Sequence, residues 1–483
     1  MPLPRLFPTR SLPALFAAVT LALIVVRAAG TVDAYWDTLA YHWTYAARAA
    51  GICARDCFAL PAVMDARYDG FPLWLHTLQG WLWRATGTPG MGDLVGIAML
   101  LAVCLYLRVR FAVPLAWSWL AFLAIPLVQV QLTSTYIDLP VNAAVTLALL
   151  VLLRMLTRPD GRQLADVALA LAALALATGS KYQMVPVALL VWTAIVVLAT
   201  RDPARVGLRR RDVAFVALSV AGALALLPNL VANLVMFGNP VYPVAIGIGP
   251  LHFAGPEAMP VNSIADAWAR TPGPLRWLAS VTEYDAFRGR PVLWTIDQGD
   301  VQQSNPSFRM GGYFVPYVLG LVALVGWSAR TVSAARGAVA VLVALTLLCA
   351  LMPNSHELRY YMFWMLSLVA IALALVHSPA FRSERQPLQR GVGHALVAIS
   401  AASVILMTGG AYLRTGGVTL QDLVRETDAA VAQIPDGATL CIRNNDRRAF
   451  LYSSAFHPGR HYATRVLEGD EAGAACTVRL SLD

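Results

Sequence analysis

Apolar runs of membrane-spanning length recur along almost all of this 483-residue chain. The hydrocarbon core of a bilayer is about 30 Å thick, and backbone crossing it must satisfy its own hydrogen bonds. Runs of this kind therefore become transmembrane helices. They fall near 12–30, 92–107, 112–130, 139–153, 164–179, 184–200, 213–235, 313–329, 337–352, 360–377 and 392–412, eleven in all. With 58% hydrophobic and only 13% charged residues, a soluble globular protein is excluded. The expected class is an all-α polytopic membrane protein. The first run follows arginines, as a signal peptide does, but Arg27 interrupts its end and further spans follow. It reads as an uncleaved first helix.

The segments between the runs alternate in character. One set is short and arginine-rich: Arg5 and Arg10, Arg108 and Arg110, Arg154 to Arg162, residues 201–211, Arg330 and Arg336, and Arg382 to Arg390. The positive-inside rule places these in the cytoplasm, with the N-terminus. The other set is 31–91, 131–138, 180–183, 236–312, 353–359 and the tail from 414, which are expected outside. The net charge of +9 thus reports topology. Arginines scattered as short clusters between apolar runs do not form a nucleic-acid surface. Cys53 and Cys57 lie in the first outer segment and Cys441 and Cys476 in the tail. On the oxidising side these four are disulfide candidates.

Residues 1–413 form the expected membrane module, with its large outer segments at 31–91 and 236–312. Within the latter, a stretch near 274–287 has an amphipathic pattern suited to the membrane surface. Residues 414–483 read as a small α/β domain. A helix is expected over 420–434, stopped by Pro435-Asp436-Gly437, with strands near 439–443 and 477–480. A Cys441–Cys476 bond would tie its first and last strands.

The outer segments carry most of the unusual polar residues. Residues 31–50, TVDAYWDTLAYHWTYAARAA, hold two aspartates, one histidine and five large aromatics. Aromatics collect at any membrane interface, so they argue little. Asp33 and Asp37 argue more, because four-residue spacing puts both carboxylates on one helix face, which Tyr41 and Tyr45 continue. His42 lies close by. Further along come YDGFPLW with Tyr68, TSTYIDLP with Asp138, GSKY with Lys181, the only lysine, and NSHELRYYMFW with His356, Glu357 and Arg359. Turns, helix caps and snorkelling account for each of these alone. Taken together they put acids, cations and histidines on one membrane face. Carboxylates there suit base catalysis and cations suit an anionic leaving group. No spacing fixes a metal site; a divalent ion is compatible with the acids and histidines, but no metal or cofactor is expected.

These residues also resemble a family. WDTLAYH followed by an alanine- and arginine-rich helix (36–50), the Phe71-Pro72 segment, TYIDLP, the SKY loop, FGNPVYP (237–243) and HELRYY are similar to the GT-C superfamily. The likeness is to bacterial glycosyltransferases of the type grouped with protein mannosyltransferases and the aminoarabinose transferase of lipid A, and runs over roughly 12–377. It implies a multi-pass protein of the bacterial inner membrane, with its tail domain periplasmic. It also implies transfer of a sugar from a polyprenyl-phosphate donor to a lipid, glycan or protein acceptor at the outer face, with inversion. The first-loop aspartate of such enzymes is the general base. Asp37 matches that position best, since it directly precedes TLAYH, and Asp33 second; many relatives instead carry adjacent acids. Arg359 and Lys181 match the cations presented to the donor phosphate. Tyr41, His42, Tyr68, Asp138, His356 and Glu357 then fall among substrate-binding positions.

Two rivals belong to other classes. A transporter of lipid-linked sugar is expected to keep functional charges near the bilayer midplane, whereas these spans are nearly charge-free. An O-antigen-type polymerase or ligase is expected to use the large late segment, where His252, Arg288, Arg290 and Arg309 lie.

Overall fold

The computed structural model describes residues 11–33, 37–53, 58–157, 164–200, 208–257, 270–282, 284–285, 290–291, 312–443, 447–467 and 476–481. Helices occupy every one of the eleven apolar runs. They are α1 (Ser11–Gly30), α5 (Leu94–Phe111), α6 and α7 (Leu115–Leu123, Pro126–Gln131), α8 (Asp138–Thr157), α9 (Leu164–Thr178), α10 (Met184–Thr200), α11 and α12 (Leu208–Leu226, Pro228–Phe237), α14 (Val315–Thr331), α15 (Ala335–Leu351), α16 (Phe363–His377) and α17 (Gln386–Met407). Among the described residues, four helices are long and apolar enough to cross a membrane alone. A fifth span is possible if the α11–α12 pair, bent by 57°, counts as one crossing. Eleven crossings are therefore not shown. Proline explains the two broken runs, because the residue before it is driven out of the helical region and its missing N–H cannot continue the ladder. Ile125 before Pro126 is extended, at φ −99° and ψ 113°. Five other apolar helices have 10–17 residues; at 1.5 Å per residue, even seventeen span only about 26 Å.

The core is built around α8, buried almost throughout, and α16, buried along its whole length. α8 packs on α5, α9, α10, α15 and α16, and α16 also on α14 and α17. Packing rests mostly on Leu, Val, Ala and Ile, with Asn142 and Thr146 buried on α8 and an ion pair between Arg154 of α8 and Asp166 of α9. The charged site lies where their ends meet.

The first outer segment is helical beyond the expected 36–50 stretch: a π-turn at Thr38–His42 runs into α2 (Trp43–Ala49), followed by α3 (Ala62–Gly70) and α4 (Trp74–Thr86), which were not expected. Gly70 ends α3 where the backbone of Tyr242 approaches so closely that a Cβ would lie 2.2 Å from its carbonyl oxygen. The FGNPVYP stretch forms the other side of that contact. Gly238 ends α12 at φ +67°, a left-handed conformation glycine adopts without strain. The buried Asn239 side chain donates to the carbonyls of Val244 and Ala254, each at 2.9 Å. Arg67 closes the junction with a two-point ion pair to Glu257, its Nε 2.8 Å from Oε2. In the late segment, β1 (Ile246–Ile248) and β2 (Leu251–Phe253) form a hairpin, and α13 (Gly273–Thr282) occupies most of the expected amphipathic stretch. β3 (Tyr284–Asp285) and β4 (Arg290–Pro291) also pair.

In the tail, α18 (Leu420–Arg425) and α19 (Asp428–Val431) replace the single helix expected over 420–434. The break falls at Thr427, whose hydroxyl turns back to the carbonyl of Val424 at 2.7 Å. A parallel sheet follows in the order β6-β5-β7, with β5 Thr439–Arg443, β6 Ala463–Leu467 and β7 Val478–Ser481. β6 was not expected from sequence. Cys441 and Cys476 are disulfide-bonded, with Cα atoms 5.6 Å apart. Cys53 is disulfide-bonded as well; Cys57 lies outside the described residues.

Candidate active site

Two ion pairs define the site. Asp37 stands at the head of the π-turn, and one carboxylate oxygen lies 2.9 Å from Nη1 of Arg359. π-turns are rare and recur at functional positions. Arg359 comes from the turn-rich stretch between α15 and α16. That stretch reverses at Asn354, whose left-handed φ of +55° suits asparagine better than most residues. Its guanidinium also meets Glu357, Nε to Oε2 3.3 Å, and sits over the rings of Tyr136 and Tyr360 at 5.5 and 5.1 Å. The aromatic faces hold the cation without neutralising it. The second pair joins Lys181, from the α9–α10 turn, to Asp138 at the first residue of α8. The Lys181 ammonium also lies 4.4 Å from the centre of the Tyr360 ring, so one tyrosine links the two cations. Burial holds the Lys181 ammonium below the ordinary lysine range, with Asp138 opposing that shift.

Asn142, one turn along α8 and fully buried, fixes this arrangement. Its amide donates to the backbone carbonyls of Asp138 (2.7 Å) and Arg359 (3.0 Å), while its oxygen accepts from the N–H of Phe363 at 2.8 Å. The Arg359 segment is thereby bound to the helix that starts with Asp138.

Asp33 occupies a different cluster. It lies ahead of the helix, so the expected shared face with Asp37 is not formed; residues 34–36 between them are outside the described set. The reason is a competing partner. The N–H of Thr135 donates to Asp33 at 3.0 Å, and the Thr135 hydroxyl donates to Asp93 at 2.9 Å. Burial raises the Asp33 carboxyl to about 7, opposed by the nearby Thr38 hydroxyl and the Thr135 N–H and assisted by the nearby Asp37 charge. Asp33 thus ties the start of the segment to the TSTYIDLP turn.

The remaining expected residues are distributed around these pairs. Tyr41 is within 4.3 Å of the His42 ring and 5.2 Å of the Tyr45 ring, centre to centre. His42 points to His76 of α4, Nδ1 to Nε2 2.8 Å. Burial drives both imidazoles down, His76 to about 3, so they are neutral at physiological pH. Tyr68 stands one layer further out, 5.5 Å from Tyr45. His356 is fully buried and neutral, pushed to about 4 by burial and then by Arg276. His252 sits on β2, while Arg288 and Arg309 lie outside the described residues. Among the described residues, no group of three or more His, Cys, Asp and Glu is placed to hold a metal ion. Tyr136, Tyr360, Asn142 and Asp93 were not singled out from sequence, although Tyr136 and Tyr360 lie within the TYIDLP and HELRYY motifs.

No protein-family model and no curated protein matches this sequence. Solved structures do match. A crystal structure of ArnT from Cupriavidus metallidurans in the apo state superposes with a TM-score of 0.53 at 16% identity, covering 97% of this chain and 88% of that one. A second crystal structure of the same protein, bound to undecaprenyl phosphate, gives 0.54 and 16%, covering 96% and 87%. The chain thus shares the fold of that protein over nearly its whole length. At this identity the likeness speaks for the fold; the chemistry has to be argued from the side chains.

Proposed function

We propose that this protein is a membrane glycosyltransferase that moves a sugar from a polyprenyl-phosphate donor to a hydroxyl acceptor. The observation that carries the reading is the Asp37–Arg359 ion pair beside the Lys181–Asp138 pair. A base and two cations lie within one cluster at the helix ends, where a lipid-borne phosphate and a water-borne acceptor can both reach. The GT-C-like fold, shared with a protein crystallised with undecaprenyl phosphate, supports the same donor class.

Each cation is paired with a carboxylate. A donor phosphodiester, with one negative charge spread over two oxygens that can meet both cations at once, competes with the carboxylates for Arg359 and Lys181, and the leaving polyprenyl phosphate gains a further charge for them to hold. Asp37 is thereby released from Arg359. Its free carboxylate accepts the proton of the acceptor hydroxyl while that oxygen attacks the anomeric carbon. The bond from that carbon to the phosphate oxygen breaks, and polyprenyl phosphate leaves with its charge held by the two cations. Attack opposite the leaving group inverts the anomeric centre. Tyr41, Tyr136 and Tyr360 offer ring faces to the sugar, while His42, Tyr68, His356 and Glu357 shape the surroundings. A positioned base contributes about 10²–10⁴ in rate.

The site faces the periplasm in this reading, with the N-terminus cytoplasmic, the tail domain (414–483) periplasmic, and the bacterial inner membrane as host. The acceptor is a lipid, glycan or protein of the envelope. Mass spectrometry of envelope glycolipids and glycoproteins from cells with and without the gene tests this. The reading predicts a species lighter by one sugar when the gene is absent. Identical envelopes under conditions where the protein is made would count against it.

A further inference from the structure

The tail does not stand apart from the site. Leu423, Phe450 and Leu451 of the tail share one apolar cluster with Leu39, Trp43 and Ala47, residues of the π-turn and α2 that follow Asp37 directly. Phe450 lies at its centre, 5.5 Å from Trp43, 4.6 Å from Phe58, 4.9 Å from Phe456 and 6.5 Å from Trp83 between ring centres. The linker is fastened to the same place. The N–H of Val32 donates to the carbonyl of Val418 at 2.9 Å, and Arg27 donates to the carbonyls of Ala411 and Arg414 at 2.8 and 3.0 Å.

Trp43 carries this packing onward. One edge of its indole is covered by Phe450, and the indole N–H donates to the Thr135 hydroxyl at 3.0 Å. Thr135 is the hub of the polar cluster: it donates to Asp33 and Asp93, and its carbonyl accepts from Gln79 at 2.8 Å. The next residue is Tyr136, on whose ring Arg359 rests. Trp43 therefore sits between the helix bearing the base and the turn bearing the platform of the cation. Both halves of the Asp37–Arg359 pair are placed through it.

We infer that Phe450 and Trp43 are positioning residues for sugar transfer, through which the tail sets the placement of Asp37 against Arg359. This rests on the transferase reading above. Neither residue touches the reacting groups, so their substitution is expected to reduce turnover and to spare lipid-phosphate binding. Misplacement of a catalytic group by about 1 Å costs on the order of 10²-fold in rate. A truncated ring at position 450 leaves space into which Trp43 can shift.

The test uses the full-length protein in proteoliposomes with a polyprenyl-phosphate-sugar extract, following release of polyprenyl phosphate by mass spectrometry. Phe450→Ala and Trp43→Phe are expected to slow release roughly ten- to a hundredfold. Undecaprenyl phosphate, used as a binding probe in the same preparations, should bind within about twofold of wild type. Phe450→Leu, which keeps most of the volume, should restore release to within about threefold. Release by Phe450→Ala within twofold of wild type overturns the inference and leaves the transferase reading intact. So does a parallel loss of binding and release, which would mark general damage to the fold. Equally fast release by Asp37→Asn removes Asp37 as the base, and the inference with it, whereas a wild type that releases nothing brings down the transferase reading itself.

Discussion

Replacing Asp37 with asparagine separates two quantities that usually fall together, turnover and affinity for the lipid phosphate. The Asp37 carboxylate pairs with the Arg359 guanidinium at 2.9 Å, and both side chains are mostly shielded, 16% and 19% exposed. An incoming phosphate has to displace that carboxylate before it uses the cation. Asparagine has nearly the same shape and no charge, so the displacement becomes easier by on the order of 1–2 kcal/mol, within the range for a charge-assisted bond. Affinity for undecaprenyl phosphate should rise about 5- to 30-fold. Turnover should fall about 10²–10⁴, because the base is gone. Equilibrium binding in nanodiscs and polyprenyl phosphate release from one preparation give both numbers, and a thermal melt verifies folding. Weaker binding by Asp37→Asn would refute the exchange, since it would mean that Asp37 helps to hold the phosphate, for instance through a cation of its own.

Three further outcomes follow from the same geometry. Lys181→Ala removes the cation paired with Asp138, so undecaprenyl phosphate binding should weaken about tenfold or more, from loss of a charged bond of about 1.5–3 kcal/mol; a change below twofold would remove Lys181 from the phosphate site. Asp33 has a folded-state carboxyl near 7 against an unfolded value near 3.9. Its contribution therefore favours the folded state at low pH and is lost as pH rises through that window, by up to about 1.4 kcal/mol per pH unit. Asp33→Asn, which keeps an oxygen for the Thr135 N–H, should flatten the melting-temperature profile between about pH 4 and 7, and an unchanged slope would contradict the buried environment. Asn142→Ala strands the carbonyl of Arg359 and the N–H of Phe363, with an expected cost of about 1–3 kcal/mol; thermal unfolding of the full chain measures it, and a loss below about 0.5 kcal/mol would show that the segment is held by other means.

Much of the membrane architecture was legible in the chain, because an apolar run of helical length has few other fates. Where the runs break was legible only in part: Pro126 and Pro228 were visible, but whether a proline bends a span or starts a new helix depends on what packs beside it. α4 was missed because Trp74–Thr86 mixes His76, Gln79 and Arg84 with its aromatics, which looks like a loop until its buried face is seen against α2. β6, ATRVL, is too polar to announce a strand and is specified by its parallel pairing with β5. At the site, Asp37, Asp138, Lys181 and Arg359 were each visible as polar residues at helix mouths. Their pairing was not, since 322 residues separate Asp37 from Arg359 and only tertiary packing joins them. Asp33 misled for a physical reason: helical spacing was assumed where a buried amide, Thr135, had a stronger claim on the carboxylate.

The most direct test of the central claim is release of polyprenyl phosphate from a polyprenyl-phosphate-sugar extract by the purified full-length protein, wild type beside Asp37→Asn. The account predicts release by the wild type that coincides with appearance of the sugar on an envelope acceptor, and loss of both in the variant while undecaprenyl phosphate still binds. Release that continues unchanged in Asp37→Asn, or a wild type that releases nothing although it binds the lipid, would contradict it.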